Sequence, residues 1–234
     1  MAGLQGFLRS MDFDVFKAKL HQVLDFFKPE VQAETRVKLD LAAGNAALLI
    51  IDVQKEFADP AQGRGNTETR NVTKRINSLI PAFRAAGMPA YVVYFSDYEK
   101  NPQDIDFYMF RPMPQDKLIA KDEDSAFKGS NIKQILKGDK RKTLLACGFN
   151  LNACVFKTVM DARDNGFEVI LLQDLTGNDN DNDRSKTADQ IAKMKKRGVK
   201  FVNSIDLLEN IGDFKKDAPL PPSRRLAPPK PPGQ

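Results

Sequence analysis

The 234-residue sequence predicts a three-layer α/β/α fold around a six-stranded parallel sheet, and three observations carry that prediction. Short apolar runs at residues 46–51, 90–95 and 144–147 lack the polar alternation of a half-solvated strand, which suits strands covered on both faces. These runs alternate with stretches of helical periodicity, and right-handed crossovers then place helices on both sides of the sheet. Gly87, Gly148 and the pair Asn165-Gly166 punctuate the boundaries. With 41% apolar and 29% charged residues, the chain can fill one sizeable core.

Residues 11–28 place Phe13, Phe16, Leu20, Val23, Leu24 and Phe27 on one face of an amphipathic helix closed by Pro29. It reads as a helix packed on the domain or at a subunit interface, with His21, the sole histidine, on its surface. Residues 46–51 are the first strand, whose end delivers Asp52 to the edge where open α/β proteins place their sites. A Pro/Gly/Asn loop, a helix over 69–86 and a second strand at 90–95 follow. The irregular stretch 96–116 carries Tyr98, Phe107, Tyr108 and Phe110, which suits a cover over a pocket or a neighbouring subunit.

A third short strand at 118–120 leads to Lys121, and a helical segment at 133–136 precedes the fourth strand. After Gly148, Asn150 and Asn152 are turn and cap residues, so Cys154 is expected to open a helix. The fifth strand, 167–173, ends at Asp174. Residues 175–183, LTGNDNDND, read as a solvated loop, because an EF-hand count from Asp179 puts Arg184 at the turn glycine and Gln190 at the bidentate acid. A helix at 185–196, a strand at 199–202 and a helix at 205–211 complete a domain expected over 41–213, behind a helical extension at 1–40. From 214 the chain turns proline-rich, favouring polyproline II or disorder. Pro219, Pro222 and Arg224, then Arg225, Pro228 and Pro231, spell two SH3-ligand patterns in it, so an SH3-type partner is one expectation.

Composition narrows the function classes. The net charge of +5 is spread over helix faces and the tail, and the basic clusters at 137–142 and 193–200 lack interleaved aromatics, which speaks against nucleic acid. No apolar run is long enough to span a membrane and no basic leader precedes an apolar core, so no membrane is expected. Two cysteines seven positions apart, without a C-x-x-C motif, fit a reducing, cytoplasmic setting and call for neither metal nor cofactor. Cys147, inside an apolar run, reads as inert core, whereas the helix dipole at Cys154 would favour the thiolate.

Three motifs in chain order carry a resemblance. ALLIIDVQKEF at 47–57 supplies a strand ending in an acid followed by V-Q and an aromatic; LIAKDEDSAF at 118–127 supplies a lysine before S-A-F. GFNLNACVFKTVMDARDNGFEVILLQD at 148–174 supplies a glycine turn, C-V and T-x-x-D-A. Together they resemble the isochorismatase-like hydrolases, which include nicotinamidases and N-carbamoyl amidohydrolases.

The resemblance implies a site of Asp52, Lys121 and Cys154: the cysteine as nucleophile, the lysine holding it near its thiolate, the acid shuttling the proton. It also implies an oxyanion hole from the backbone N–H groups of Asn150 and Cys154, with a cis peptide between Phe149 and Asn150. Phe57, Phe127 and Phe149 are candidate pocket residues, and Arg64 or Arg111 candidate anion contacts. The metal site of nicotinamidases needs histidines after the second strand, where this sequence has none. The expected function is therefore metal-free hydrolysis of a C–N bond in a small amide, carbamoyl or imide compound. A homo-oligomer is expected. Vinyl-ether hydrolysis, or an idle fold acting through the tail, are the alternatives.

Overall fold

In the computed structural model, which describes residues 45–62, 64–85, 87–96 and 105–210, the predicted apolar runs form the sheet. Strand β1 is Ala46–Ile51, β2 Ala90–Phe95, β3 Lys117–Lys121, β4 Thr143–Gly148, β5 Glu168–Thr176 and β6 Lys200–Val202. All neighbours pair in parallel, in the order β3-β2-β1-β4-β5-β6. The order reverses between β1 and β4, the crevice where such sheets place their sites.

Each fully buried strand packs on both faces, since successive side chains point to opposite sides. From β1, Ala47, Leu49 and Ile51 join a core with Ile132 and Leu136 of helix α3 (Ile132–Gly138), Val159 and Ala162 of α4 (Phe156–Asp164) and Met194 of α5 (Thr187–Lys196). The opposite face is covered by α2 (Thr67–Ala85), which buries Val72, Ile76, Ile80 and Phe83, and by α6 (Ser204–Asn210). One short helix, α1 (Lys55–Ala58), follows β1. Each fully buried Leu, Ile or Val contributes about 1.5–3 kcal/mol, so the two faces supply the main driving force.

Three expectations need correction. Strand β5 runs on to Thr176, past the expected end at Gln173, because its pairing with β4 shifts after Ala146 and resumes as Gly148 to Thr176. The polar Asp174 inside it is used structurally: it accepts Ser204 N–H at 2.8 Å and Ser204 Oγ at 2.5 Å, capping α6. Cys154 does not open an α-helix; it lies within a single π-helical turn, Leu151–Val155, ahead of α4. And the loop after β5 is not solvated throughout, since Asn178 and Asp179 are buried. The amphipathic helix at 11–28, His21 and the proline-rich tail lie outside the described residues.

Gly148 is required by close approach. With φ at 114°, it sits where an added Cβ would stand 2.0 Å from the Ile51 carbonyl oxygen. The same crossing lets Phe149 N–H donate to Ile51 O at 2.9 Å, locking the end of β4 beside the end of β1. Gly148→Ala is expected to destabilise the fold by about 3 kcal/mol or more, read as a lowered urea midpoint, since neither backbone can yield without breaking the sheet.

Candidate active site

Three strand ends assemble one buried cluster. Asp52 follows β1 in a left-handed conformation, φ 51°, which an L-residue adopts at a cost of roughly 1–2 kcal/mol and which turns its carboxylate back over the sheet edge. Lys121 closes β3 and reaches across the end of β2, its ammonium 4.2 Å above the Phe95 ring. Lys121 Nζ lies 2.9 Å from Asp52 Oδ2 and donates to Cys154 Sγ at 3.4 Å and to the Glu123 carbonyl at 3.1 Å. Asp52 and Lys121 are essentially inaccessible, and Cys154 is 4% exposed. Neither Asp52 oxygen makes a well-aligned hydrogen bond among the described residues, so the carboxylate keeps acceptor capacity next to the sulfur.

The electrostatics differ from the sequence expectation. Burial raises the Asp52 carboxyl to about 6, with Lys121 opposing the rise. Burial, followed by the Asp52 charge, pushes the Cys154 thiol well above the ordinary range, and Lys121 only partly counters it. The resting arrangement is thus an Asp52–Lys121 ion pair beside a neutral thiol rather than a lysine-stabilised thiolate. Cys154 lies in the first turn of the helical run that begins at Leu151, where the dipole still favours the thiolate, but burial outweighs it.

The turn bearing the cysteine is braced from the loop after β5. The peptide bond Phe149–Asn150 is cis, as the resemblance implies. The Asn150 side chain and Asp179 bind reciprocally: Nδ2 donates to Asp179 Oδ2 at 2.9 Å, and Asp179 N–H donates to Asn150 Oδ1 at 2.8 Å. The Asn150 carbonyl accepts the N–H groups of Ala153 and Val155, both at 3.0 Å, while Asn152 N–H donates to Asn178 Oδ1 at 2.9 Å. The sequence reading missed this use of Asn178 and Asp179. Asn and Asp side chains that bond backbone two or three residues away are the ordinary currency of turns, and nothing local marks one that instead serves a distant turn.

Gln54, read only as part of a motif, has a definite task. Its amide donates to the Phe95 carbonyl at 3.1 Å and accepts Phe95 N–H at 2.7 Å, tying the chain after β1 to the end of β2. The loop reached by Gln54 packs its aromatics edge-on, Tyr94 to Phe107 at 6.3 Å and Phe107 to Phe110 at 5.8 Å.

The pocket candidates divide. Phe57 lies buried beneath the Arg64 guanidinium, 5.0 Å from its ring centre, and Phe149 is fully buried next to Gly177. Phe127 packs its ring on Phe167 at 5.6 Å, and Phe167 precedes the N-terminal end of β5, opposite the edge that carries Asp52. Phe127 is therefore a core contact rather than a pocket wall. Arg64 is occupied by Glu56 at 2.5 Å, Asp181 at 3.2 Å and Asp179 at 3.6 Å, which argues against its reserve for an anion.

Among the described residues, no group of three or more His, Cys, Asp or Glu could hold a metal ion, and no helix is long and apolar enough to cross a membrane. The stretch after β2 contains no histidine, so a histidine-based metal site does not fit this donor set.

A doubly covered parallel sheet, with an acid, a lysine and a cysteine converging where its strand order reverses, defines an α/β protein with a thiol at its switch point. The Isochorismatase domain matches residues 46–206, and the chain belongs to the isochorismatase family of hydrolases. The uncharacterized isochorismatase family protein YrdC of Bacillus subtilis (strain 168) is 28% identical over 137 residues, 56% of this chain and 72% of that protein. Among solved structures, the zinc complex of Pyrococcus horikoshii pyrazinamidase is similar with a TM-score of 0.59 at 24% identity, covering 68% of this chain and 99% of that one. The N-carbamoylsarcosine amidase of Thermoplasma acidophilum gives 0.58 at 22% identity, covering 68% and 96%.

Proposed function

We propose that this hydrolase cleaves a C–N bond of a small amide, carbamoyl or imide compound through a covalent thioester on Cys154. The observation that carries the reading is Lys121, held between Asp52 at 2.9 Å and Cys154 Sγ at 3.4 Å in a site closed to bulk water. As Sγ attacks the carbonyl carbon, its proton passes to Asp52, and the oxyanion is received by the backbone N–H groups of Asn150 and Cys154, each worth about 3 kcal/mol. Protonated Asp52 then delivers that proton to the departing nitrogen, so the C–N bond breaks as an amine or ammonia leaves. Water attacks the thioester, Asp52 takes one water proton, and the thiol is restored as the acid departs. Lys121, 2.9 Å from Asp52, offsets its carboxylate. Vinyl-ether hydrolysis needs no thiol nucleophile, and the placement of Cys154 against these two charges favours C–N cleavage. A pyrazinamidase and an N-carbamoylsarcosine amidase among the similar structures are in keeping with this.

The test is a panel of small amides, carbamoyl compounds and cyclic imides, followed by product release and by intact mass of the protein quenched during turnover. An acyl adduct on the Cys154 peptide is expected. Because Asp52 must be ionised to accept the thiol proton and its carboxyl sits at about 6, kcat/KM should fall about tenfold per pH unit below that value. A profile flat down to about pH 5 would contradict Asp52 as the base.

A further inference from the structure

Asp124, to whose Oδ1 the Cys154 thiol donates, is given no role in the cycle proposed above. It comes from the loop after β3, where Lys121 Nζ holds the Glu123 carbonyl at 3.1 Å and so fixes the backbone beside it. Its Oδ1 lies 3.6 Å from Cys154 Sγ, and its Oδ2 is held by the Lys157 ammonium. That hydrogen bond keeps the Asp124 carboxyl below the usual carboxylate range, so the group is charged at neutral pH. Asp52 and Lys121 side chains are wholly buried, whereas that of Asp124 is 42% exposed. Asp124 therefore lies on the solvent side of the cluster, beside the sulfur that a substrate must reach.

Among the described residues, the basic side chains seen at or beyond this cluster each face an acid. Lys121 faces Asp52, Lys157 faces Asp124, and Arg64 faces Glu56, Asp179 and Asp181. A carboxylate beside the scissile carbonyl would meet Asp124 with like charge. An N–H group in the same place would find an acceptor in Asp124 Oδ1, because the substituents of a carbon bonded to Sγ fall within hydrogen-bond reach of a group that close to the sulfur.

Resting on the hydrolase reading above, we infer that Asp124 is a specificity-determining residue: it admits neutral or cationic substrates that offer N–H donors beside the scissile carbonyl and rejects those bearing a carboxylate there. Substrates of this class are carboxamides, ureido compounds and amides with a nearby ammonium.

Iodoacetamide and iodoacetate test this without a known substrate, since they are a matched carboxamide and carboxylate that each alkylate a thiol with loss of iodide, the thiol proton passing to solvent. The rate at Cys154 is read by peptide mass spectrometry for the whole chain, with the fully buried Cys147 as internal control. After normalisation to a small free thiol, the wild type should prefer iodoacetamide by about tenfold, between the weak like-charge repulsion of bulk water and the much stronger repulsion of a pair at the protein surface. Asp124→Asn should bring the ratio to that of the free thiol, and Asp124→Glu should restore it. Removing the acid also alters the ionisation of the thiol, but this changes both rates alike and leaves their ratio unaffected. Lys157→Ala, which strips the counter-ion, should widen the preference. A ratio unchanged in Asp124→Asn overturns the inference. The ratio needs no turnover, so a failure of the hydrolase reading would appear separately, as absence of the acyl adduct.

Discussion

Cys154→Ala is expected to lower substrate hydrolysis by at least about 10³-fold while lowering the urea unfolding midpoint only modestly. The change removes one buried sulfur next to an intact ion pair, so the transfer and cavity terms together amount to about 1 kcal/mol. The Asp52–Lys121 contact at 2.9 Å does not pass through the sulfur and persists. Full activity in a folded Cys154→Ala protein would end the thioester mechanism. Cys154→Ser separates the roles further, because a hydroxyl at the same place keeps the shape but is a far poorer nucleophile beside a base whose carboxyl sits at about 6.

Lys121→Met should carry the largest cost in stability, about 3–5 kcal/mol near pH 8, because it leaves the Asp52 carboxylate buried without its counter-charge. The sign with pH follows from the Asp52 carboxyl. In the wild type, Lys121 holds that group down against burial; without the lysine it rises further above about 6 and takes up a proton more readily. A protonated Asp52 no longer needs a partner, so the destabilisation should shrink as pH falls and grow as pH rises, read from urea midpoints at about pH 6 and 8. The double variant Asp52→Asn/Lys121→Met should recover most of the loss, which a purely steric defect would not do.

How far the sequence could be read depended on the range of the interactions. Apolar runs such as Leu48 to Ile51 determine their own state, because burial on both faces is written in consecutive residues, and the strands they predict are present. The extension of β5 past Gln173 was hidden, since the polar groups of Asp174 are satisfied by elements distant in sequence: Arg75 donates to its carbonyl at 2.9 Å, and Ser204 to its carboxylate. The same holds for Asp179. Nothing in LTGNDNDND distinguishes a side chain that meets water from one that braces Asn150, 29 positions away.

The candidate site was proposed from motifs, and the fold brings Asp52, Lys121 and Cys154 together, but the motifs did not show the charge state they produce together. Proximity to Lys121 suggested a thiolate; only depth of burial reverses that sign. Asp124 went unread for a related reason, as an acid three positions after Lys121 in a polar loop carries no local mark of the sulfur it faces.

The near-complete burial of Cys154 has a chemical corollary. Oxidation by peroxide proceeds through the thiolate and needs access, and the resting sulfur offers little of either. This cysteine should be oxidised to sulfenic acid more slowly than an open catalytic thiol under the same peroxide exposure. Inhibitors built on that logic would have to be small electrophiles able to enter a site in which the sulfur is almost wholly covered. Bulky maleimides and aromatic disulfides would leave the protein untouched.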